Sequence, residues 1–205
     1  MRNDPVGQVT AAYDRAADRY VSARGPISDA LERLLERLMA PIPTGSPVFD
    51  VGCGSGVIAR YLVDRGCRVT GLDTSACLLA IASKAVPEGE FVQKDMRTAD
   101  FERPFDALVA WDSVFHVPRT DHGGVFRLFH AWLRPGGRLL LSLGGSAGDF
   151  TSEMLGETFF YSGHDPEEAL RLLAAAGLCV EHWEVDDRTS RGHVAILATR
   201  PAVGS

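Results

Sequence analysis

The sequence predicts a doubly wound α/β fold, a seven-stranded and mostly parallel sheet with helices on both faces. Three observations carry that expectation. From Val48 onward, short β-rich runs alternate with helical segments, the pattern of parallel strands joined by right-handed crossovers. The run ending at Val51 passes directly into Gly52-Cys53-Gly54-Ser55-Gly56 and then into a helical segment, the strand–loop–helix unit that opens such sheets. The last two strand candidates are separated only by residues 186–192, too short a link for a helical crossover, so they are expected to pair antiparallel.

The elements follow in order. Val9, Ala12, Tyr13, Ala16, Ala17 and Tyr20 recur at helical spacing until Gly25-Pro26 breaks the pattern. Asp29 and Glu32 stand at capping-box spacing, and the stripe Leu31, Leu34, Leu35 and Leu38 then runs to Pro41. Strands are expected over 48–52, 68–72, 90–94, 105–111, 138–143, 178–185 and 193–199. Helices are expected over 57–65, 75–85, 119–133 and 166–176, the last opening at Asp165-Pro166 and closing at Gly177.

At 205 residues the chain has the length of one α/β domain, and a domain of this size buries roughly 70% of its unfolded surface in a single core. One domain, 1–205, is therefore expected. Its cysteines, Cys53, Cys67, Cys77 and Cys179, form no C-x-x-C pair and have no histidine at zinc-finger spacing, which reads as reduced, metal-free thiols. No signal-type apolar segment opens the chain and no run approaches the ~20 apolar residues of a membrane span, so a cytoplasmic location without a membrane partner is expected. The net charge of −6 and the absence of a Lys/Arg block argue against nucleic acid as a partner.

Three alternate glycines let a backbone turn tightly and approach a ligand closely. Gly52, Gly54 and Gly56 read G-x-G-x-G, with Asp50 just upstream, whereas a dinucleotide fingerprint reads G-x-G-x-x-G. A carboxylate there would repel a pyrophosphate and attract an ammonium or sulfonium. Asp73, nineteen residues after Gly54 and at the end of the second strand run, stands where an acid accepts ribose hydroxyls. Asp95 ends the third run beside Met96, whose thioether suits the face of a flat heterocycle.

Taken together, FDVGCGSG at 49–56, GLDTS at 71–75, QKDM at 93–96 and LRPGGRLLLSLG at 133–144 resemble the motifs of the class I S-adenosylmethionine-dependent methyltransferases. The resemblance implies strand order 3-2-1-4-5-7-6 with strand 7 antiparallel, and S-adenosyl-L-methionine as cofactor. It implies that Asp50 and the loop Gly52, Cys53, Gly54 and Gly56 hold the methionyl amino end. Asp73 would bind the ribose hydroxyls and Asp95 the adenine amino group, with Met96 beside the ring. Thr74, Leu78 and Trp111 would complete the cofactor wall. The early segment AAYDRAADRY resembles the amino-terminal lid of small-molecule members, so 1–42 is expected to form a lid whose Tyr13 and Tyr20, seven residues apart, share a helix face.

Methyl transfer from a sulfonium is an in-line displacement, so positioning supplies much of the acceleration and a base is needed only when the acceptor arrives protonated. Asp112 and His116 follow the fourth strand and are the expected polar groups at the reacting end. His116 is the base or orienting candidate, because a reference pKa of about 6.5 lets modest shifts decide its charge; as a base it would impose a rate loss below a pKa near neutrality. The chain lacks the Asp/Asn-Pro-Pro-aromatic segment that nucleic-acid amino methyltransferases carry at this point. Residues 144–165, with Phe159, Phe160, Tyr161 and His164, form a long connection read as an acceptor wall. O- or N-methylation of a small molecule is the leading expectation, for a monomer or homodimer. Methylation of a peptide or protein, and cofactor binding by a regulatory protein without turnover, remain alternatives.

Overall fold

The computed structural model describes residues 4–185 and 193–202, so the link 186–192 lies outside the described residues. Helix α1, Pro5–Ala23, starts where the Asp4 carboxylate accepts the Val6 amide and Pro5 occupies the first turn, a position at which a missing N–H costs nothing. Helix α2, Asp29–Met39, is capped one residue earlier than the capping-box spacing implied: the Ser28 hydroxyl accepts the Leu31 amide. Asp29 is left in the first helical turn, where its charge complements the helix dipole. The leucine stripe is buried throughout.

Then come β1 (Pro47–Val51), α3 (Val57–Asp64), β2 (Arg68–Asp73), α4 (Ala76–Ala85), β3 (Glu90–Gln93) and β4 (Phe105–Ala110). A short 3-10 turn at Val114–His116 leads to α5 (Arg119–Trp132) and β5 (Leu133–Leu143). After the hairpin β6 (Gly148–Met154) and β7 (Glu157–Gly163), the chain ends in α6 (Pro166–Ala175), β8 (Cys179–Val185) and β9 (Val194–Thr199). The main sheet has the order β3-β2-β1-β4-β5-β9-β8. β1 to β5 run parallel, and β9 is antiparallel to both β5 and β8. This is the expected order, with the last strand reversed.

Alternation along the strands sorts side chains to two faces. Val48, Val69, Val109 and Leu140 pack with the stripes of α2 and α3, while Phe49, Leu72, Leu108 and Leu139 pack with α5 and α6. Phe49 centres an aromatic cluster, 4.6 Å from Phe105, 4.7 Å from Phe101 and 5.2 Å from Trp132 between ring centroids.

Residues 144–165, expected as a long connection, have regular structure of their own. They form the antiparallel hairpin β6–β7 as a separate two-stranded sheet. Its two-residue turn, Leu155-Gly156, has both residues at positive φ, 56° and 76°, the geometry that matches hairpin twist. Leucine rarely adopts it, so the turn lacks the usual Asn-Gly or Asp-Gly signal. Phe159 from β7 is fully buried against Val9 and Ala12 of α1, and this contact seats the hairpin on the amino-terminal helix.

Phe49→Ala is expected to lower stability by about 3 to 5 kcal/mol, the usual range for emptying an aromatic site in a packed core. Urea unfolding should show the midpoint falling with an unchanged slope.

Candidate active site

The carboxyl ends of β1, β2, β3 and β4 converge on a crevice roofed by α1. It encloses about 590 Å³ of atom-free space including its open mouth. Its floor is the glycine loop. Gly52 has φ +75°, and a Cβ there would lie 2.2 Å from the Ser113 Cβ. The Ser113 hydroxyl donates to the Val51 carbonyl at 2.9 Å, which draws the β4 rim against the loop. Only glycine permits that approach.

Asp73 binds the loop from the other side. One carboxylate oxygen accepts the Gly54 amide at 2.9 Å and the other accepts the Ser75 amide at 2.9 Å. Burial raises its pKa, opposed by those amide hydrogen bonds. Thr74, Leu78 and Met96 line the same crevice.

Asp95 also faces the crevice, but its carboxylate is engaged by Arg97, whose guanidinium approaches to 2.6 Å. Arg97 further reaches Asp4 at 2.7 Å and Asp121 at 3.4 Å. It clips the start of α1 to the end of β3, a role no motif announced.

Four sequence-selected residues lie off the crevice wall. Asp50 is 1% exposed, with one carboxylate oxygen lacking any hydrogen-bond partner. Burial lifts its pKa to about 7, against the pull of the nearby Arg24 charge. Cys53 is buried, and burial pushes its thiol well above the ordinary range. Gly56 caps α3 at φ +85°, where a Cβ would crowd Ala82 at 3.1 Å. Trp111 is packed into the core with α2 and α3, so its ring belongs to the interior and not to the ligand wall expected from the resemblance.

Helix α1 presents Tyr13 and Tyr20 to the crevice, edge to face with centroids 5.4 Å apart. Burial raises both phenols, keeping them protonated. Arg24, one turn beyond Tyr20, donates to the Tyr20 hydroxyl; the i,i+4 spacing was a readable signal for it. Asp14 accepts the Ser75 hydroxyl at 2.6 Å and the Cys77 amide at 3.1 Å, docking α1 on the first turn of α4. Arg15 and Arg19 pair with Glu157 of the hairpin.

A second cavity, of about 1280 Å³ of atom-free space, opens beside the first, toward the hairpin. Tyr13, Tyr20, Asp112 and His116 line both. Asp112 is held at φ 52°, an uncommon state that Asp tolerates better than most residues. Its amide donates to the Ser142 hydroxyl at 2.7 Å. Of the aromatic residues expected in the acceptor wall, Tyr161 faces the cavity. Phe159 packs on α1 and the His164 ring bonds the Arg119 carbonyl at 3.1 Å.

The His116 ring is wedged between two partners. Nδ1 lies 2.8 Å from the Phe160 carbonyl and must donate to it. Nε2, 2.9 Å from the Tyr13 hydroxyl, is then the acceptor of that phenolic proton. Burial lowers the pKa to about 4. The neutral-range titration expected of a free base is removed by desolvation, and the one basic lone pair is already engaged. His116 therefore meets the requirements of an orienting group better than those of a base.

Residues 48–137 match a family model described as a methyltransferase domain. The chain is 29% identical to phosphoethanolamine N-methyltransferase 1 of Zea mays over 87% of this chain and 36% of that protein. It is 36% identical to malonyl-[acyl-carrier protein] O-methyltransferase of Enterobacter lignolyticus over 64% of this chain and 51% of that protein. The chain thus spans about half or less of the length of these relatives. Magnesium protoporphyrin IX methyltransferase of Synechocystis, solved with S-adenosylmethionine bound, superposes with a TM-score of 0.78 over 98% of this chain and 99% of that one at 17% identity, which is a likeness of fold.

His116 and His122 are both held neutral by burial, with pKa values lowered to about 4. The unfolded chain takes up these protons near pH 6.5 and the folded one only near 4, so the histidines' share of the stability is full above about 6.5 and falls as pH drops toward 4, opposed over the same range by Asp50, whose raised pKa costs stability as pH rises toward 7. Urea unfolding at pH 7 and pH 5 should show His116→Gln losing less stability, or gaining more, than the parent chain on going to pH 5.

Proposed function

We propose, from the premise that this chain belongs to the class I S-adenosylmethionine-dependent methyltransferases, that it methylates an oxygen or nitrogen of a small organic molecule bound between the sheet rim and the β6–β7 hairpin. The observation that carries this reading is the shared wall: two cavities at the carboxyl rim meet at Tyr13, Tyr20, Asp112 and His116. A donor in one and an acceptor in the other would face each other there, and nearness and alignment are the chief requirements of the reaction.

The chain's residues fit the cofactor. The buried Asp50 carboxylate has an oxygen without a partner, which an ammonium over the loop would offset in charge. Asp73 retains acceptor capacity beyond its two amide bonds, enough for ribose hydroxyls. Leu78 and Met96 offer apolar contact for a ring, and Asp95 can receive an amino group while paired with Arg97. S-adenosylmethionine, when bound, supplies a methyl group on a sulfonium.

The protein's work is to bind, align and dry the site. Within the amino-terminal segment 1–42, α1 acts as the lid. Its Tyr13 hydroxyl, its proton committed to His116, turns an oxygen lone pair toward the shared wall, and His116 positions it.

Calorimetry should detect S-adenosylmethionine and S-adenosylhomocysteine binding at one site. Failure of both at millimolar concentration would sink the donor assignment. Asp73→Ala should weaken binding by about 2 to 4 kcal/mol, since each hydrogen bond to a charged acceptor is worth about 1.5 to 3 kcal/mol, less exchange with water. Incubation of the protein with methyl-labelled cofactor and cell extract should place the label in small metabolites. Label in polymer would point to a peptide or protein acceptor, and binding without any transfer to a regulatory role.

A further inference from the structure

Because β9 is antiparallel, it begins at the rim where the parallel strands end: Val194 pairs with Leu143 at the close of β5. The preceding residue, His193, is thereby delivered to the acceptor cavity, which it lines with Asp112. Its Nδ1 faces the Asp112 carboxylate at 3.5 Å, and its ring lies 5.3 Å from that of Phe115. An imidazole whose Nδ1 faces a carboxylate takes the tautomer that leaves Nε2 unprotonated, and catalytic hydrogen bonds are often long before the complex tightens them. His116, in contrast, has both nitrogens engaged within the protein.

We propose that His193, positioned by Asp112, is the general base of the transfer, and that the acceptor is an aromatic compound whose reacting oxygen or nitrogen arrives carrying a proton. This rests on the methyltransferase reading above. His193 Nε2 takes that proton as the acceptor's electron pair forms the bond to the methyl carbon; the carbon–sulfur bond breaks and its pair stays with sulfur. The charges around the cavity favour this class over a carboxylate acceptor, which needs no base: Asp112 and Glu153 line the space and would repel it. Among the described residues, Arg24 is the one Lys or Arg on this wall, and it is bonded to Tyr20. Tyr161 stands 5.7 Å from Phe115 and is stacked 5.1 Å from the half-exposed Phe150, and Gly144 and Gly163 present bare backbone. A flat ring suits such walls.

The test uses the full chain labelled with nitrogen-15 histidine, saturated with S-adenosylhomocysteine and titrated with catechol, tyramine or benzoate. His193 is expected as the Nδ1–H tautomer, with its Nε2 resonance shifted by catechol or tyramine and not by benzoate. A shift by catechol points to a hydroxyl acceptor, and a shift by tyramine without one by catechol points to an amine, since tyramine carries both groups. Asp112→Asn, which keeps a residue tolerant of positive φ, should lose the tautomer preference. With S-adenosylmethionine, the probe that shifts Nε2 should be methylated, and His193→Ala should lower kcat on the order of a hundredfold with little change in KM. The proposal is overturned by an Nε2–H tautomer, by an Nε2 resonance indifferent to both protonated probes, by methylation of benzoate alone, or by near-normal kcat in His193→Ala. Failure of S-adenosylhomocysteine to bind in calorimetry would instead bring down the donor reading, and this one with it.

Discussion

A single half-buried carboxylate joins the parts of the site. Asp73 ends β2, accepts one amide from the glycine loop after β1 and another from the start of α4, and so sets the distance between two βα connections. The first turn of α4 is also where Asp14 docks α1. Through these few hydrogen bonds the floor and the roof of the crevice share one reference point. Desolvating a carboxylate is costly, and hydrogen bonds to its charged form are what make the burial tolerable.

The roof is held by interactions of unequal weight. The Arg15 and Arg19 pairs with Glu157 lie on the surface, with the two arginines more than half exposed, and such pairs contribute little. Burial of Val6, Val9, Ala12, Ala16 and Ala17 along the inner face of α1 carries most of its attachment, since apolar area removed from water stabilises roughly in proportion to its extent. The Tyr13–His116 contact adds direction to that adhesion: it ties the roof to the turn after β4, and its polarity is settled by the Phe160 carbonyl on the hairpin. Roof, rim and hairpin therefore meet at one imidazole.

In the proposed reaction the donor and acceptor sides are built from different materials. The donor side uses backbone amides, glycines and strand-end acids, features dictated by the sheet's own geometry. The acceptor side uses the hairpin, the 3-10 turn and the residue before β9, which are additions to the sheet. The same fold serves many chemistries by varying such additions, and for that reason the acceptor must be argued from its cavity and not from the fold.

Strand alternation, the glycine spacing and the acids at Asp50, Asp73 and Asp95 are local signals, and each made its element readable from the sequence; the short link before the final strand likewise implied the reversed pairing seen for β9. Local signals stop where placement depends on distant partners. Trp111 closes the fourth expected strand yet turns into the core, because strand alternation points it toward α2 and α3. The hairpin went unread because its turn uses Leu155 at positive φ, a state sustained by surrounding structure. The availability of each histidine was decided by residues far away in sequence: His116 by Tyr13 and Phe160, His193 by Asp112. Periodicity and chain-local geometry were enough for the strands, the antiparallel close of the sheet and the glycine-loop crevice, while the strand order was implied by the family resemblance. Which side chains keep a free lone pair, and which face a second cavity, emerged with the tertiary contacts, because burial and hydrogen-bond partnership are set between segments far apart in the chain.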